Sequence, residues 1–467
     1  MSPKLRILVI VFSLAFGLIL KILNENLASV ERPKLPTNQY WGEGKAPNDY
    51  DKPKDLQLVK PFFADKIIED LSSRIGANKV SLTPPLEGVN FEYGFNTNYL
   101  KEILKYWKDD YLPRWREREI FIWQLPQYVT LIQGLRLHYL HLKIYEDVKE
   151  VKQMYPILLL HGWPSSVREF YELAPKLYEG SNESNIVFDI VAPSLPGFVW
   201  SQGASKKGMG PAQIAVILRN LMLRLGYKKF FIHGNDWGSV IGSHIATLFP
   251  ENVLGYHSTT CTINTPLSNL KLFIASLMPS FYLEEVQKDF FFPLSKTFSS
   301  LFEETGYTHI QATKPDTIGI ALSDNPVGLA AYIIEKFSTW TNGTFKTLED
   351  GGLSQKFKLD TLLDNIMLYY LTNSITTSQR MFAEAYSKEQ RQLNLDRVTT
   401  LVPTACARFK GDLPYHFSMD FQLINKYLKL VQSTYYNNGG HFAALQEPDL
   451  LYKDIIEFVK KAEKYMV

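Results

Sequence analysis

The stretch that decides the fold is Lys228-Lys229-Phe230-Phe231-Ile232-His233-Gly234-Asn235-Asp236-Trp237-Gly238-Ser239-Val240-Ile241-Gly242. An apolar run typical of a strand ends at Gly234, and a segment typical of a helix begins at Ser239. Glycines on both sides of Asp236 permit the sharp strand-to-helix turn of a nucleophile elbow, which exposes the central side chain above a parallel sheet. A carboxylate in that position attacks carbon and forms an alkyl ester that water must then cleave. The competing interpretation is a tight turn in which Asp236 caps a helix.

Strands and helices alternate on both sides of this elbow. Residues 135–142 alternate as a half-buried strand does, and residues 157–160 have the uniform apolar character of a fully buried strand. Further strand-like segments are 188–192, 230–233, 253–257, 401–409 and 433–436, and the clearest helical segments are 211–225 and 449–465. Because parallel strands are joined by helices, the pattern predicts an α/β doubly wound sheet. Between about residues 262 and 396 the alternation gives way to helix-like, aromatic-rich sequence, which predicts an inserted helical cap.

The N-terminal part of the chain has a different composition. The run from Ile7 to Leu20 is uncharged, and Lys21 can snorkel to extend a span toward the roughly 20 residues that a bilayer needs. We favour a retained membrane anchor over a cleaved signal peptide, because Leu27-Ala28-Ser29 is a poor cleavage site. The predicted organisation is an anchor at 1–24, a wrapping segment at 25–127 without period-2 strands, a first core part at 128–261, the cap at 262–396 and a second core part at 397–467.

Composition excludes several classes of protein. The chain has 467 residues, 45% apolar content and a net charge of +2, and its lysines and arginines are dispersed, so nothing favours nucleic acid as a partner. The two cysteines, Cys261 and Cys406, show no spacing typical of metal ligands or of a disulfide framework. We therefore expect free thiols and a reducing compartment, and we expect no metal and no organic cofactor.

A second motif follows the buried strand at 157–160. The sequence there is His161-Gly162-Trp163-Pro164, a loop that places backbone N–H groups beside the elbow. The amides of Trp163 and Trp237 can then hold an oxyanion together, and removing such a donor typically costs about 3–4 kcal/mol of transition-state stabilisation. We expect His161 to brace the loop by hydrogen bonding rather than to act as a base.

A base and an orienting acid are needed later in the chain, in the order nucleophile, acid, histidine. Asn438-Gly439-Gly440-His441-Phe442 follows a strand-like segment, so His441 is the best placed of the nine histidines. Asp412 follows the strand-like segment at 401–409, where the orienting carboxylate belongs, although an aspartate in such a loop is often only a turn residue. The predicted triad is Asp236, Asp412 and His441.

The motifs together resemble those of the microsomal epoxide hydrolase family, and within it the insect juvenile hormone epoxide hydrolases. The resemblance covers the whole chain and rests on Tyr40-Trp41-Gly42, Tyr93-Gly94-Phe95-Asn96, His161-Gly162-Trp163-Pro164, Asp236-Trp237-Gly238, residues 306–342 and residues 439–444. It implies an α/β-hydrolase fold with a helical cap, Asp236 as nucleophile and His441 as base. Asp412 departs from the pattern, because mammalian members have glutamate there.

The resemblance also implies two cap tyrosines that protonate the epoxide oxygen. They match Tyr307 in Gly306-Tyr307-Thr308 and Tyr369 in Met367-Leu368-Tyr369-Tyr370. A phenol can donate its O–H without ionising first. Among 26 tyrosines, the residues alone do not single out these two, and Tyr370 lies directly beside Tyr369.

The expected function is conversion of lipophilic epoxides to diols at the endoplasmic reticulum membrane, with the catalytic domain in the cytosol. Juvenile hormone is the substrate that the resemblance implies, followed by xenobiotic epoxides in a detoxification role. Two alternatives stay open: a haloalkane dehalogenase with the same aspartate nucleophile, and a non-catalytic hormone-binding protein on the same fold. The partners expected are the epoxide, water and the membrane, and the sequence leaves the oligomeric state open.

Overall fold

A mixed sheet forms the centre of the computed structural model, which describes residues 17, 20–21, 30–48, 57–58, 62–76, 82–144, 153–181 and 184–466. Its strands are β1 (Gln57–Leu58), β2 (Gln127–Ile132), β3 (Leu135–Leu142), β4 (Gln153–Leu160), β5 (Ile186–Pro193), β6 (Phe230–Gly234), β7 (Val253–Ser258), β8 (Thr404–Phe409) and β9 (Leu430–Tyr436). They lie in the order β1-β2-β3-β5-β4-β6-β7-β8-β9. Pairing is antiparallel from β1 to β5 and parallel from β5 to β9. The predicted α/β class is confirmed.

The α-helices of the described residues divide into a core set and a cap set. They are α1 (Asp65–Gly76), α2 (Thr97–Tyr106), α3 (Trp115–Ile122), α4 (Leu173–Glu179), α5 (Pro211–Arg224), α6 (Trp237–Leu248), α7 (Pro266–Leu277), α8 (Pro279–Tyr282), α9 (Glu285–Phe291), α10 (Leu294–Glu304), α11 (Gly306–Thr313), α12 (Pro315–Asp324), α13 (Pro326–Thr339), α14 (Leu353–Lys356), α15 (Leu359–Thr372), α16 (Ile375–Ala385), α17 (Lys388–Gln392), α18 (Asp420–Leu423), α19 (Ala443–Gln446) and α20 (Pro448–Ala462). Helices α7 to α17 lie between β7 and β8 in the chain and form the predicted helical cap. The boundaries proposed between domains stay predictions.

Helices cover both faces of the sheet. Along β4, Leu158 and Leu160 join one hydrophobic cluster while Ile157 and Leu159 join another, as the period of two in a strand requires. Helices α5 and α6 pack on the first face, and α4 and α20 pack on the second. With both faces covered, residues 157–160 of β4 are apolar and buried. The neighbouring strands also carry buried polar side chains, such as His233 on β6 and His257 on β7.

The N-terminal segment contains one short strand. No period-2 strand was expected at 25–127, and Gln57–Leu58 forms β1, which pairs antiparallel with Val129 and Tyr128. A two-residue strand is too short to show an alternating pattern, so no sequence pattern indicates it. Apart from residues 17, 20 and 21, the predicted anchor at 1–24 lies outside the described residues.

A membrane span needs a long apolar helix. Among the described residues, no single helix is both long and apolar enough to cross a bilayer. Helices α12 and α13 meet the length and composition test together, but they are bent by 116° where they join. Both belong to the cap.

The two cysteines do not remain free thiols. Cys261, just after β7, is disulfide-bonded to Cys406 on β8, across a sequence separation of 145 residues. The expectation of free cysteines is therefore wrong. The sequence did not indicate this bond because the cap is inserted between β7 and β8. The two strands are therefore far apart in sequence, although they are neighbours in the folded sheet.

Candidate active site

Asp236 lies at the turn between β6 and α6, as the elbow motif predicts. Its backbone has φ 51° and ψ −124°, a conformation that costs a residue with a side chain roughly 1–3 kcal/mol. The turn is held by hydrogen bonds, because the Asp236 N–H donates to Thr260 Oγ1 at 3.0 Å and the Asn235 N–H donates to the Leu160 carbonyl at 3.1 Å. A Cβ on residue 238 would collide with the backbone at Leu160, which explains why a glycine lies two residues after Asp236.

The loop after β4 supplies one predicted oxyanion donor, and the first residue of α6 supplies the other. The Trp163 N–H donates to Asp236 Oδ1 at 2.8 Å, and the backbone N–H of Trp237 also bonds the Asp236 carboxylate. A Cβ on Gly162 would overlap the Asp236 side chain, so this close approach requires glycine. With Oδ1 held by the Trp163 amide, Oδ2 is the oxygen that faces His441.

His161 braces this loop, as expected. Its Nδ1 lies 3.0 Å from the Gly162 carbonyl, and its Nε2 accepts a hydrogen bond from the Leu195 N–H at 3.1 Å. Burial lowers the pKa of His161 to about 4, so the ring is neutral at pH 7. Since both ring nitrogens are used, His161 is not available as a base.

The structure brings His441 and Asp412 to the nucleophile. Nε2 of His441 lies 3.9 Å from Asp236 Oδ2, and its Nδ1 lies 3.0 Å from Asp412 Oδ1. An ionised carboxylate only accepts hydrogen bonds, so His441 donates through Nδ1, and Nε2, which carries a lone pair in the neutral ring, faces Asp236. Both residues are in loops directly after parallel strands, Asp412 after β8 and His441 after β9.

A second histidine, which the sequence analysis missed, shares the same carboxylate. Asp412 Oδ1 accepts hydrogen bonds from His416 Nδ1 at 2.9 Å and from the Leu413 N–H at 2.7 Å, in addition to the bond from His441. Burial opposes ionisation of Asp412, but the charges and hydrogen bonds of His441 and His416 outweigh it and hold the pKa of Asp412 well below its usual range. The spacing Asp412 to His416, in one loop, was a signal that the sequence offered.

The shared carboxylate bears on metal binding. Among the described residues, Asp412, His416 and His441 are the one group of three with ligand atoms within 4.8 Å of one another. A metal ion shared by these residues would be bound by the Nδ1 atoms of the two histidines. Both Nδ1 atoms instead carry protons, which they donate to Asp412 Oδ1. The geometry fits a hydrogen-bonded triad.

For both Asp236 and His441, burial and neighbouring charges shift the pKa in opposite directions. Burial raises the pKa of Asp236 above its ordinary value, although His441 and the amides of Trp237 and Trp163 act in the opposite direction. Burial alone would lower the pKa of His441, but the charge and hydrogen bond of Asp412, followed by the charge of Asp236, raise it overall. The carboxylate and the imidazole therefore stabilise each other's charged forms in the resting site.

Tyr307 lies against the oxyanion loop. Its ring stacks on Trp163 with centroids 5.0 Å apart and an interplanar angle of 10°, and it also contacts Trp340 and Phe382. Burial raises the pKa of Tyr307 well above 10, and the negative charge of Asp236 adds to the shift. The phenol thus keeps its proton and lies within electrostatic range of the nucleophile.

Tyr369 has a different environment. Its hydroxyl is buried and donates to the Ser165 carbonyl at 2.7 Å, on the inner side of the oxyanion loop. The charge of Asp236 raises its pKa as well, after burial. Since its proton is already used by a backbone acceptor, this geometry argues against Tyr369 as a donor to substrate.

Other residues around Asp236 could not be selected from the sequence. Tyr386 and Tyr415 have pKa values raised by burial and also by the charge of Asp236. The Tyr415 hydroxyl is buried and has no hydrogen-bond partner among the residues that the structure describes. Phe382 contacts Trp163, Tyr307 and Trp237, with a centroid distance of 5.0 Å to the last. Neither helix periodicity nor spacing distinguishes these aromatic residues from ordinary core residues.

Access to the triad is partly visible in the described residues. A cavity of about 680 Å³ between the cap and the sheet is lined by Asp412, Gly439, Thr341 and Lys296, among others. Its lining includes Asp412 but not Asp236. The nucleophile itself lies beneath the aromatic residues of the cap.

A strand-to-helix elbow that bears an aspartate, two backbone amides at its carboxylate and a histidine–aspartate pair are the arrangement of an α/β-hydrolase-fold enzyme, and they fit a carboxylate nucleophile. Family models agree: "Epoxide hydrolase N terminus" matches residues 57–170 and "alpha/beta hydrolase fold" matches residues 155–386. The chain is 47% identical to "Juvenile hormone epoxide hydrolase 2" of Ctenocephalides felis, over 99% of this chain and 96% of that protein. It is 40% identical to "Epoxide hydrolase 1" of Sus scrofa, over 93% and 95% of the two chains.

Solved structures give the same result. The juvenile hormone epoxide hydrolase of the silkworm Bombyx mori superposes with a TM-score of 0.88 at 41% identity, over 93% of this chain and all of that one. The Aspergillus niger epoxide hydrolase has a TM-score of 0.71 at 25% identity, over 88% and 97%. The chain belongs to the epoxide hydrolase family, and the predicted resemblance is confirmed.

Proposed function

We propose that this enzyme converts lipophilic epoxides to vicinal diols through a covalent ester on Asp236. One observation carries the assignment: Asp236 Oδ1 is held by the Trp163 amide at 2.8 Å while Oδ2 faces His441 Nε2 at 3.9 Å. One oxygen is thereby fixed as the future carbonyl, and the other is left to attack. The histidine is then on the side where the ester forms.

In the first step, Asp236 Oδ2 attacks an epoxide carbon from the side opposite the C–O bond that breaks. The epoxide oxygen takes a proton from Tyr307, whose raised pKa keeps the phenol protonated until the bond breaks. Tyr369 was the second donor expected from the sequence. The hydrogen bond from its hydroxyl to Ser165 supports a positioning role under the loop instead.

In the second step, His441 takes a proton from water, and the resulting hydroxide attacks Cγ of Asp236. The amides of Trp163 and Trp237 hold the negative charge that develops on Oδ1. Asp412 keeps the ring in the tautomer with a free Nε2 and stabilises the imidazolium that forms. Collapse of the intermediate releases the diol and restores the carboxylate.

Juvenile hormone is the proposed substrate. The relatives named above from Ctenocephalides felis and Bombyx mori carry that hormone in their names. The aromatic wall of Trp163, Tyr307, Trp340 and Phe382 suits a long apolar chain next to the epoxide. Detoxification of xenobiotic epoxides is the second proposed role, and comparison of kcat/KM for juvenile hormone and for aryl epoxides separates the two.

Turnover in oxygen-18 water tests the mechanism. If the ester forms and is hydrolysed at its acyl carbon, the Asp236 carboxylate gains label, and mass spectrometry of the peptide around Asp236 detects it. Diol formation with an unlabelled Asp236 would mean that water attacks the epoxide directly.

We also propose that residues 1–24 anchor the enzyme in the endoplasmic reticulum membrane. The support is the uncharged run from Ile7 to Leu20, and deletion of 1–24 is expected to move activity from the membrane fraction to the supernatant. The cytosolic side now rests on family resemblance alone, because the Cys261–Cys406 disulfide is more typical of an oxidising compartment. Protease treatment of intact microsomes decides the side, since only a cytosolic domain is digested.

A further inference from the structure

Glu169 is a buried acid that the mechanism above does not use. It lies in the 3₁₀ helix Val167–Phe170, directly after the oxyanion loop, and is 1% exposed. Both of its carboxyl oxygens are buried and have no partner in hydrogen-bond geometry within the part of the chain that the structure describes. The nearby Ser165 hydroxyl donates to the Ser166 carbonyl at 3.3 Å, although it also lowers the pKa of Glu169. Buried polar atoms are nearly always paired, so two unpaired oxygens on one carboxyl group indicate a site for a small polar ligand.

The surroundings of Glu169 place this site at the triad. The helix α19, which begins two residues after His441, packs against the 3₁₀ helix that carries Glu169. His441 and Asp236 both interact electrostatically with the Glu169 carboxyl, and Tyr369 does so from the cap side. The unpaired oxygens therefore lie within electrostatic range of both the base and the nucleophile.

No neighbouring cation on its own helix neutralises Glu169. The adjacent Arg168 donates from Nη1 to Glu172 at 2.9 Å and from Nε to Asp364 at 3.1 Å. Burial raises the pKa of Glu169 to about 8, although Ser165 and His441 act in the opposite direction. At pH 7 the group is thus mainly a neutral carboxylic acid, which can accept one hydrogen bond and donate another.

We propose that the Glu169 carboxyl accepts a hydrogen bond from the water that hydrolyses the Asp236 ester, and so holds that water beside His441 Nε2. Water bound by two acceptors, one on Glu169 and one on His441, has a lone pair left for attack on Cγ of Asp236. Glu169 would then contact a reacting molecule. The inference rests on the proposed function, because it requires the ester intermediate.

The proton balance is complete without a further reagent. His441 takes one proton of the water, the oxygen bonds to Cγ, and the Cγ–Oδ2 bond breaks as the diol oxygen takes that proton from the imidazolium. The second proton stays on the new carboxyl oxygen, hydrogen-bonded to Glu169. When Asp236 ionises again, this proton replaces the one that Tyr307 gave to the epoxide.

Two substitutions separate hydrogen bonding from packing. Glu169→Gln retains a carbonyl acceptor of the same size, whereas Glu169→Leu removes the acceptor and keeps most of the volume. Glu119→Gln is the control, because Glu119 is also 1% exposed but accepts from the Phe63 N–H at 2.8 Å and pairs with Arg116, far from the triad in its contacts.

The experiment is single-turnover reaction with styrene oxide, quenched with acid, in which the Asp236 ester is quantified by mass spectrometry. We expect Glu169→Leu to form ester at the wild-type rate and to hydrolyse it at least about tenfold more slowly. Glu169→Gln and Glu119→Gln should stay within about threefold of wild type in both steps. Wild-type hydrolysis should also show an inflection near pH 8 that Glu169→Gln lacks, since only the acid titrates there.

Other outcomes overturn the proposal. Unchanged hydrolysis in folded Glu169→Leu, or equal slowing of both steps, would leave Glu169 with a packing role only. Hydrolysis as slow in Glu169→Gln as in Glu169→Leu would exclude the acceptor role. If a thermal melt shows that Glu169→Leu is unfolded, the proposal is tested by Glu169→Gln alone. Its hydrolysis must then stay near the wild-type rate and lack the inflection near pH 8. If wild type forms no ester, the proposed function fails instead.

Discussion

The loops after the parallel strands and the helices of the cap contribute to the site in different ways. Asp236, Asp412 and His441 follow β6, β8 and β9, and backbone hydrogen bonds and sheet pairing fix where those strands end. Tyr307 and Phe382, on α11 and α16, are positioned by ring packing against Trp163 and Trp237. Hydrogen-bonded loops hold reacting atoms in one geometry, whereas a packed aromatic wall tolerates changes of shape. From this difference we expect the nucleophile and the base to depend on the sheet edge, and the epoxide acid Tyr307 and substrate selection to depend on the cap.

The strongest test of the sheet edge is Asp236→Ala. Without the carboxylate no ester can form, so diol production should fall by at least about 10⁴-fold. Steady-state turnover of styrene oxide measures this loss. The exposed cap residue Asp316 provides the control, and Asp316→Ala should retain full activity; a similar loss there would mean that the assay reports folding rather than chemistry.

His441→Gln should separate the two steps. Alkylation needs no base, so the ester should accumulate, while its hydrolysis should slow by about 10²–10⁴-fold. Mass spectrometry of the peptide around Asp236 detects the trapped adduct. His309→Gln, on the exposed side of α11, is the matched control. Loss of alkylation in His441→Gln would contradict the assignment.

The two cap tyrosines sharpen the comparison. Tyr307→Phe should slow alkylation by about 10²-fold, because the epoxide oxygen loses its acid. Tyr369→Phe should leave alkylation within about threefold and lower the free energy of unfolding by about 1–3 kcal/mol, since the Ser165 carbonyl loses its partner. Rapid-quench kinetics and urea unfolding measure the two effects. If Tyr369→Phe slows alkylation as strongly as Tyr307→Phe, the original prediction from sequence is right and the geometric argument is wrong.

Falling pH should affect hydrolysis before alkylation. Hydrolysis needs neutral His441, whose pKa is raised above 6.5, so its rate should fall tenfold per pH unit below that pKa. Alkylation needs only ionised Asp236, whose pKa is raised from a much lower starting value of 3.8. Ester formation neutralises Asp236 and so removes one of the charges that raise the pKa of His441. The apparent pKa in the pH profile of hydrolysis should therefore be lower than the pKa of His441 in the resting enzyme. Single-turnover rates between pH 5 and pH 8 test this order, and ester that fails to accumulate in acid would contradict it.

The smallest expected effect concerns His416. His416→Gln removes a donor to Asp412 that bears positive charge when protonated, while His441 and the Leu413 N–H still hold the carboxylate. Hydrolysis should slow only about two- to twelvefold, because a peripheral hydrogen bond contributes about 0.5–1.5 kcal/mol. A loss of 100-fold or more would place His416 in the proton-transfer path.

Prediction from sequence succeeded where local patterns fix position. The run 230–234 ends two residues before Asp236, which has glycines on both sides, so the strand, the turn and the position of the Asp236 side chain follow from neighbouring residues. His441 and Asp412 were found because the carboxyl ends of parallel strands meet at one edge of a sheet. Tyr369 was chosen by resemblance alone, and neither the Ser165 carbonyl that takes its proton nor the neighbouring Tyr386 and Tyr415 were visible in the pattern.

By itself the sequence determined the α/β class, the elbow, the loop at His161–Pro164 and the helical cap, because each depends on residues close together in the chain. Only the tertiary structure decided the Cys261–Cys406 bond, the sharing of Asp412 by two histidines and the unpaired oxygens of Glu169. These depend on the side chains that meet when distant segments pack together. Hydrogen-bond partners and burial are properties of that packing, and no local periodicity records them.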